Sequence, residues 1–195
     1  MKLPNDYDNA PAKYGNSAVK LTPGGHICRI HSATVETSRT GNDMLVVAYD
    51  IYEGSEFDGF FRRKFDGSVQ YRSNAKWPGV FRVNLLNSRG LTNGFFKGFI
   101  ESVEKSNSGF NFRATGADES KLAGKLVGFN FGEEEFMGRD GTPQTVVKPR
   151  YAVSVDHVRQ GIEPPPIRRD SSIPTTPPPN NFPPASQEDE GQLPF

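Results

Sequence analysis

The sequence predicts an all-β domain with one helix, followed by a disordered C-terminal tail. Apolar residues alternate with polar ones in several short runs between residues 26 and 155, a pattern typical of half-buried strands. One later run repeats at helical spacing instead. Ten of the last 32 residues are proline, and a segment with so few large apolar side chains cannot bury enough surface to offset its ordering entropy.

Five runs alternate with period two, and each predicts a strand. They are residues 26–37, 44–53, 59–65, 125–136 and 145–155. In the first run, the alternation places Cys28 and Ile30 on one face and Ala33 on the other. Turn residues at 39–43 separate the first two runs, so we expect these to pair as a hairpin.

A single helix is predicted between the third and fourth strands. Phe96, Phe99, Ile100 and Val103 recur at helical spacing, and Asn93 is the candidate N-cap. Three strands, a helix and two more strands are the order of an OB-fold, a five-stranded, partly open barrel that binds oligonucleotides. A small mixed α+β sheet built from the same elements is the alternative architecture.

Composition divides the chain into a flexible N-terminal arm (residues 1–24), an OB-like domain (25–162) and a disordered, Pro-rich linker that ends in an acidic tip (163–195). The chain has 23 basic and 23 acidic side chains, but none of the basic ones lies after residue 170. Residues 1–170 therefore carry a small basic excess. A neutral total charge hides this uneven distribution.

Several classes of protein are excluded by what the sequence lacks. No run of 18 apolar residues suggests a membrane span, and the polar start is unlike a secretory signal, so we expect a cytoplasmic protein without membrane contacts. Cys28 is the single cysteine and is predicted to be a buried structural thiol. His26, His31 and His157 are not spaced as metal ligands. The sequence thus predicts no catalytic residue, no metal and no cofactor.

The most informative stretch is residues 59–100, which holds eight basic residues, one acid and nine aromatic residues. Cations neutralise phosphates, and flat rings stack on unpaired bases, so this stretch predicts a surface that binds single-stranded DNA. The candidate residues in it are Phe60, Arg62, Lys64, Tyr71, Arg72, Trp77, Phe81 and Arg82. Arg139, in the last hairpin loop, and Lys148 and Arg150, on one face of the last strand, complete the set. Phe61, Phe65, Phe96 and Phe99 are predicted to be core, whereas Tyr71, Trp77 and Phe81 fit either role.

The C-terminus resembles the tail of bacterial single-stranded DNA-binding proteins, which ends in an acidic tip and Pro-Phe and recruits replication and repair proteins. The matching residues are Glu188, Asp189, Glu190, Leu193, Pro194 and Phe195. The resemblance implies that Phe195 supplies a ring and a free carboxylate to a basic pocket of a partner protein.

The body, roughly residues 25–160, is similar to a family of uncharacterised proteins encoded among the replication genes of phages that infect Gram-positive bacteria. Residues 94–100, 121–128 and 147–151 carry this similarity. It implies a phage protein that acts on single-stranded DNA in replication or recombination, in the cytoplasm of the host cell. A strand-annealing accessory protein, a metal-dependent nuclease and an adaptor that binds only proteins remain as alternatives. The sequence leaves the oligomeric state open.

Overall fold

The computed structural model describes residues 19–52 and 56–169. The strands are β1 (Gly24–Thr37), β2 (Asp43–Ile51), β3 (Val80–Asn84), β4 (Leu126–Met137), β5 (Pro143–Val153) and β6 (Arg168–Arg169). The helices are α1 (Phe60–Val69), α2 (Gly94–Ser106) and α3 (Val155–Arg159), with 3-10 turns at Arg113–Thr115 and Glu119–Leu122. The prediction of a mostly β domain is confirmed. The prediction of one helix is wrong, because the described residues form three α-helices.

All strands belong to one open sheet in the order β3-β2-β1-β4-β5, and the five long strands are antiparallel to their neighbours. In the described residues β3 and β5 form the two edges, so the sheet does not close into a barrel. The short β6 pairs in parallel with Glu134 and Glu135 of β4, past Phe131, the last β4 residue that pairs with β1. The first two strands form the expected hairpin.

One face of the sheet carries the core. Leu45, Val47 and Tyr49 on β2 are each at most 1% exposed, as the alternation predicts. On β4, the ring of Phe129 is fully buried and lies 6.2 Å from the ring of Phe99 in a stacked arrangement. Phe99 belongs to α2, so α2 covers this face of the sheet. Burial of these aliphatic and aromatic side chains is the main stabilising contribution to the domain.

Helix α1 replaces the third strand that the sequence predicts at residues 59–65. The carboxylate of Asp50, on the preceding strand, accepts hydrogen bonds from the backbone N–H groups of Phe61 (2.8 Å) and Arg62 (3.0 Å). It thereby satisfies donors that a helix N-terminus leaves unpaired. Phe61 and Phe65 are four residues apart, so they lie on one helix face. The third strand of the sheet is instead β3.

A β-bulge in β1 corrects the predicted faces of the first strand. The pairing with β2 shifts between Ile30 and Ser32, so His31 is an additional residue on β1. Because an extra residue reverses the alternation, Ala33 joins Cys28 on the buried face, against the prediction that the two lie on opposite faces.

Helix α2 is confirmed, and so is its cap. The side chain of Asn93 accepts a hydrogen bond from the backbone N–H of Phe95 at 2.9 Å, the contact that an N-cap residue makes. The helix packs against β4 and contacts both edge strands, β3 and β5.

Residues 158–165 pack on the side of β4 that faces away from the core, against Gly128 and Gly132. A Cβ atom at Gly132 would lie 2.7 Å from Pro165, so the strand accommodates this segment only with glycine there. The side-chain amide of Asn130 donates to the carbonyl of Glu163 at 2.9 Å, and Arg169 forms an ion pair with Glu135 at 3.3 Å. Residues 163–169, which the sequence assigned to the linker, therefore contact the sheet. Among the described helices, none is long and apolar enough to cross a membrane.

Candidate nucleic-acid interface

The side of β1, β2 and β3 that faces away from the core is a shallow polar and apolar surface. Cross-strand partners lie on the same face of a sheet, so the register defines three rows across it. The rows are Ser32–Ala48–Val80, Thr34–Val46–Arg82 and Glu36–Met44–Asn84. All of these side chains are exposed or half-buried. We call this surface the outer face.

Trp77 lies beside the first of these rows. Its indole N–H donates to the backbone carbonyl of Tyr49 at 2.9 Å, and its ring meets the ring of His31 edge-on at 5.0 Å. Phe65 of α1 packs against it at 5.5 Å. The ring is half-buried, so it is fixed in position while part of it remains accessible. A fixed, partly accessible ring on a loop is suited to stacking on a base.

Exposed cations lie on the elements next to Trp77. Arg82 is exposed in the middle row, and Arg62 and Arg72 are exposed on α1 and after it. In the described part of the chain, no carboxylate lies within ion-pair distance of these three guanidinium groups. Lys64 lies 5.6 Å from the centre of the Phe60 ring, which is half-buried. These positive charges are available to an anionic ligand.

Tyr71 is 78% exposed. The sequence left open whether it is core or surface, and the structure places it on the surface, next to Arg72. The sequence left the same question open for Phe81, and the structure places Phe81 in the core. Its side chain is 6% exposed, and its ring packs against those of Phe99 and Phe129. Phe81 is therefore core and does not contribute to a surface site.

The predicted cations of β5 are not part of the outer face. Lys148 and Arg150 lie on the edge strand that β1 and β4 separate from β2. Both contact the carboxylate of Glu134, at 3.2 Å and 3.4 Å. Their charges are partly neutralised there, so we remove them from the candidate site.

Two hairpin turns present an arginine each. In the β1–β2 turn, the N–H of Ser38 donates to the carbonyl of Asn42 at 2.8 Å, and Gly41 has φ 79°. The β4–β5 turn has the same geometry: the N–H of Gly138 donates to the carbonyl of Thr142 at 2.8 Å, and Gly141 has φ 74°. Arg139 occupies in one turn the position that Arg39 occupies in the other, and both are exposed. Arg39 is not among the residues predicted from the sequence, although the shared Arg-x-Gly spacing could have identified it.

Burial shifts the pKa values of several titratable side chains of the interior. Burial raises the pKa of the Cys28 thiol well above its ordinary value, so the thiol stays protonated. Burial lowers the pKa of His26, whose Nε2 contacts the carbonyl of Thr22 at 2.9 Å. Among the described residues, no group of three His, Cys, Asp or Glu side chains is placed to hold a metal ion.

The predicted tip lies outside the described residues. This applies to all of its members: Glu188, Asp189, Glu190, Leu193, Pro194 and Phe195. Comparison of the sequence with models of protein families finds no match, and neither does comparison with curated proteins.

Proposed function

We propose that this chain binds single-stranded DNA on its outer face, with a base stacked on Trp77 and phosphates near the surrounding cations. The observation that carries this proposal is the placement of Trp77. Its ring is fixed by Tyr49, His31 and Phe65, and it adjoins a surface whose guanidinium groups have no carboxylate partner among the described residues. Aromatic stacking combined with phosphate contacts is the usual mode of single-strand binding.

The same geometry favours binding without strong sequence preference. The indole N–H of Trp77 is already used by the carbonyl of Tyr49, so the ring has no free donor with which to read a base edge. Stacking alone accepts every base. The cations Arg62, Arg72 and Arg82 would contact phosphates, which carry no sequence information.

The architecture supports the proposal as well. An OB barrel has three strands, a helix and two strands, and the long strands follow this order with α1 inserted between β2 and β3. In that fold, the face of strands 2 and 3 and the loops between strands 1 and 2 and between strands 4 and 5 bind the oligonucleotide. These correspond here to the outer face and to the turns that carry Arg39 and Arg139. We propose that the open sheet is an OB-type sheet whose edges β3 and β5 are bridged by α2.

The cellular role that we propose, in DNA replication or recombination, rests on the sequence. The similarity of the body to proteins from phage replication regions favours a role in DNA replication or recombination in the host cytoplasm. The acidic tip with Phe195 favours recruitment of replication or repair proteins through the tail, by a ring and a carboxylate that a basic pocket would hold.

The test compares binding of a fluorescein-labelled oligothymidine with binding of a duplex of the same length, by anisotropy over a range of salt. We expect a clear preference for the single strand. If roughly four phosphates are neutralised, the log-log salt slope should be about −3, from ~0.7 per contact. Arg82→Ala should make the slope shallower. Lys105→Ala is the matched control, because Lys105 is exposed on α2, which covers the opposite side of the sheet.

Equal affinity for the duplex, or an affinity that does not change with salt, would show that the protein is not a single-strand binder of this type. The same slope for Arg82→Ala and Lys105→Ala would show that the outer face does not hold the phosphates.

A further inference from the structure

His31 occupies an unusual position in β1. It is the extra residue of the bulge between Ile30 and Ser32, and its side chain is exposed. Its ring lies 5.0 Å from the ring of Trp77, at an interplanar angle of 79°. Bulges redirect side chains and often occur beside binding sites. Here the bulge directs an imidazole onto the edge of the one tryptophan in the chain.

The charges on the elements around His31 are mostly positive. The charged residues on these elements are Arg29 and Glu36 on β1, Asp43 and Asp50 on β2, Arg62, Arg63, Lys64 and Asp66 on α1, Arg72 and Lys76 before Trp77, and Lys125 before β4. The Asp50 carboxylate already accepts hydrogen bonds from three backbone N–H groups. In the described structure His31 has no ion pair. An imidazolium at this position would therefore have no acidic partner of its own.

We propose that His31 is a strand-binding residue whose protonation adds a cation next to the stacked base, so that acidification tightens binding of single-stranded DNA. This inference rests on the proposed function and deepens it. Histidine is the side chain whose charge ordinarily changes between pH 5 and 8. Because the bound phosphates favour the protonated form, binding in that range must take up protons by linkage.

The same contact predicts a signal in the absence of DNA. A protonated imidazole in contact with an indole lowers the emission of that indole. Trp77 is the only tryptophan, so its emission should fall in a single step as His31 takes up its proton. His26 should not interfere, because burial lowers its pKa and its ring packs against Phe57 and Phe131 rather than Trp77.

The experiment measures two quantities in the full chain between about pH 8 and about pH 5.5, at constant low salt: Trp77 emission without DNA, and the Kd for labelled oligothymidine. In the wild type, we expect the emission to fall and the Kd to decrease about two- to fivefold on acidification, the size of one exposed charge contact. His31→Gln should lose the emission step and most of the change in Kd. His157→Gln, an exposed histidine on α3, is the matched control and should behave as the wild type.

Three results would overturn the proposal. If the emission step persists in His31→Gln, the His31–Trp77 contact is wrong and the proposal falls. If the step is lost but the Kd of the wild type does not depend on pH, His31 touches Trp77 without touching the strand, and the proposal falls as well. If no single strand binds at any pH, the proposed function fails together with this inference, while the emission step would still report the contact.

Discussion

The side chain of Asp50 should be required for the position of α1, and through α1 for the interface. Asp50 is 6% exposed, and its carboxylate accepts hydrogen bonds from the N–H groups of Ile51, Phe61 and Arg62 at 2.8–3.0 Å. Asp50→Ala would leave these donors without a partner. The loss of a helix cap costs about 0.5–2 kcal/mol, and an unpaired buried N–H costs about 1–3 kcal/mol.

We therefore expect Asp50→Ala to lower the free energy of unfolding by about 2–3 kcal/mol, after allowing for partial relaxation of the helix end. Asp50→Asn should cost about half as much, because the amide keeps one acceptor but sets an N–H group against a backbone N–H. The assay is equilibrium urea unfolding, followed by far-UV circular dichroism.

The matched control is Asp43→Asn. Asp43 is an exposed carboxylate at the start of the same strand, and it accepts a hydrogen bond from the Thr37 hydroxyl at 2.8 Å. It should cost less than about 0.5 kcal/mol, as surface substitutions usually do. Equal destabilisation by Asp50→Ala and Asp43→Asn would refute the argument that Asp50 holds the start of α1.

Two further predictions follow from the packing and from the turns. Gly79→Ala should destabilise the domain by about 1–3 kcal/mol, because a Cβ would lie 2.3 Å from a backbone carbonyl. A Cβ at Gly98 on α2 would meet open space, so Gly98→Ala should stabilise the domain by about 0.5–1 kcal/mol. Thermal melts would compare the two variants. A change of stability with the same sign in both would contradict the packing argument. Arg39→Ala should weaken binding to oligothymidine more than Arg139→Ala does. Hydrogen bonds from Thr142 hold the pKa of Asp140 below its ordinary value, so an anion accompanies Arg139; equal losses in anisotropy titrations would argue against this difference.

The strands that the alternation predicted well are those that bury one whole face. On β2 and in the first half of β4, every second residue enters the core, so the period of two is visible in the sequence there. The region around α1 could not be assigned in this way. Phe61 and Phe65 fit both a strand and a helix in so short a run, and the carboxylate that caps the helix belongs to Asp50 on β2, eleven residues before Phe61. A local sequence pattern does not reveal a capping group that another strand supplies.

The candidate site was only partly predictable for a similar reason. The composition of residues 59–100 pointed to Arg82, which lies on the outer face, and to Trp77, which lies beside it. It also included Phe81, which is buried, since composition does not distinguish the two faces of β3. Lys148 and Arg150 share a face, as the alternation indicated, but Glu134 on the neighbouring strand pairs with both. The bulge that brings His31 to Trp77 has no clear signal in a single sequence.

The most direct test of the proposed interface is the emission of Trp77 during titration with an oligothymidine at about pH 7.5. A base stacked on this ring should quench the emission, with a midpoint equal to that measured by anisotropy of the labelled strand. Arg82→Ala should shift the emission midpoint to higher oligothymidine concentration and the anisotropy midpoint to higher protein concentration, and Lys105→Ala should shift neither. Binding that is visible by anisotropy but leaves the emission of Trp77 unchanged would show that the strand lies elsewhere on the protein.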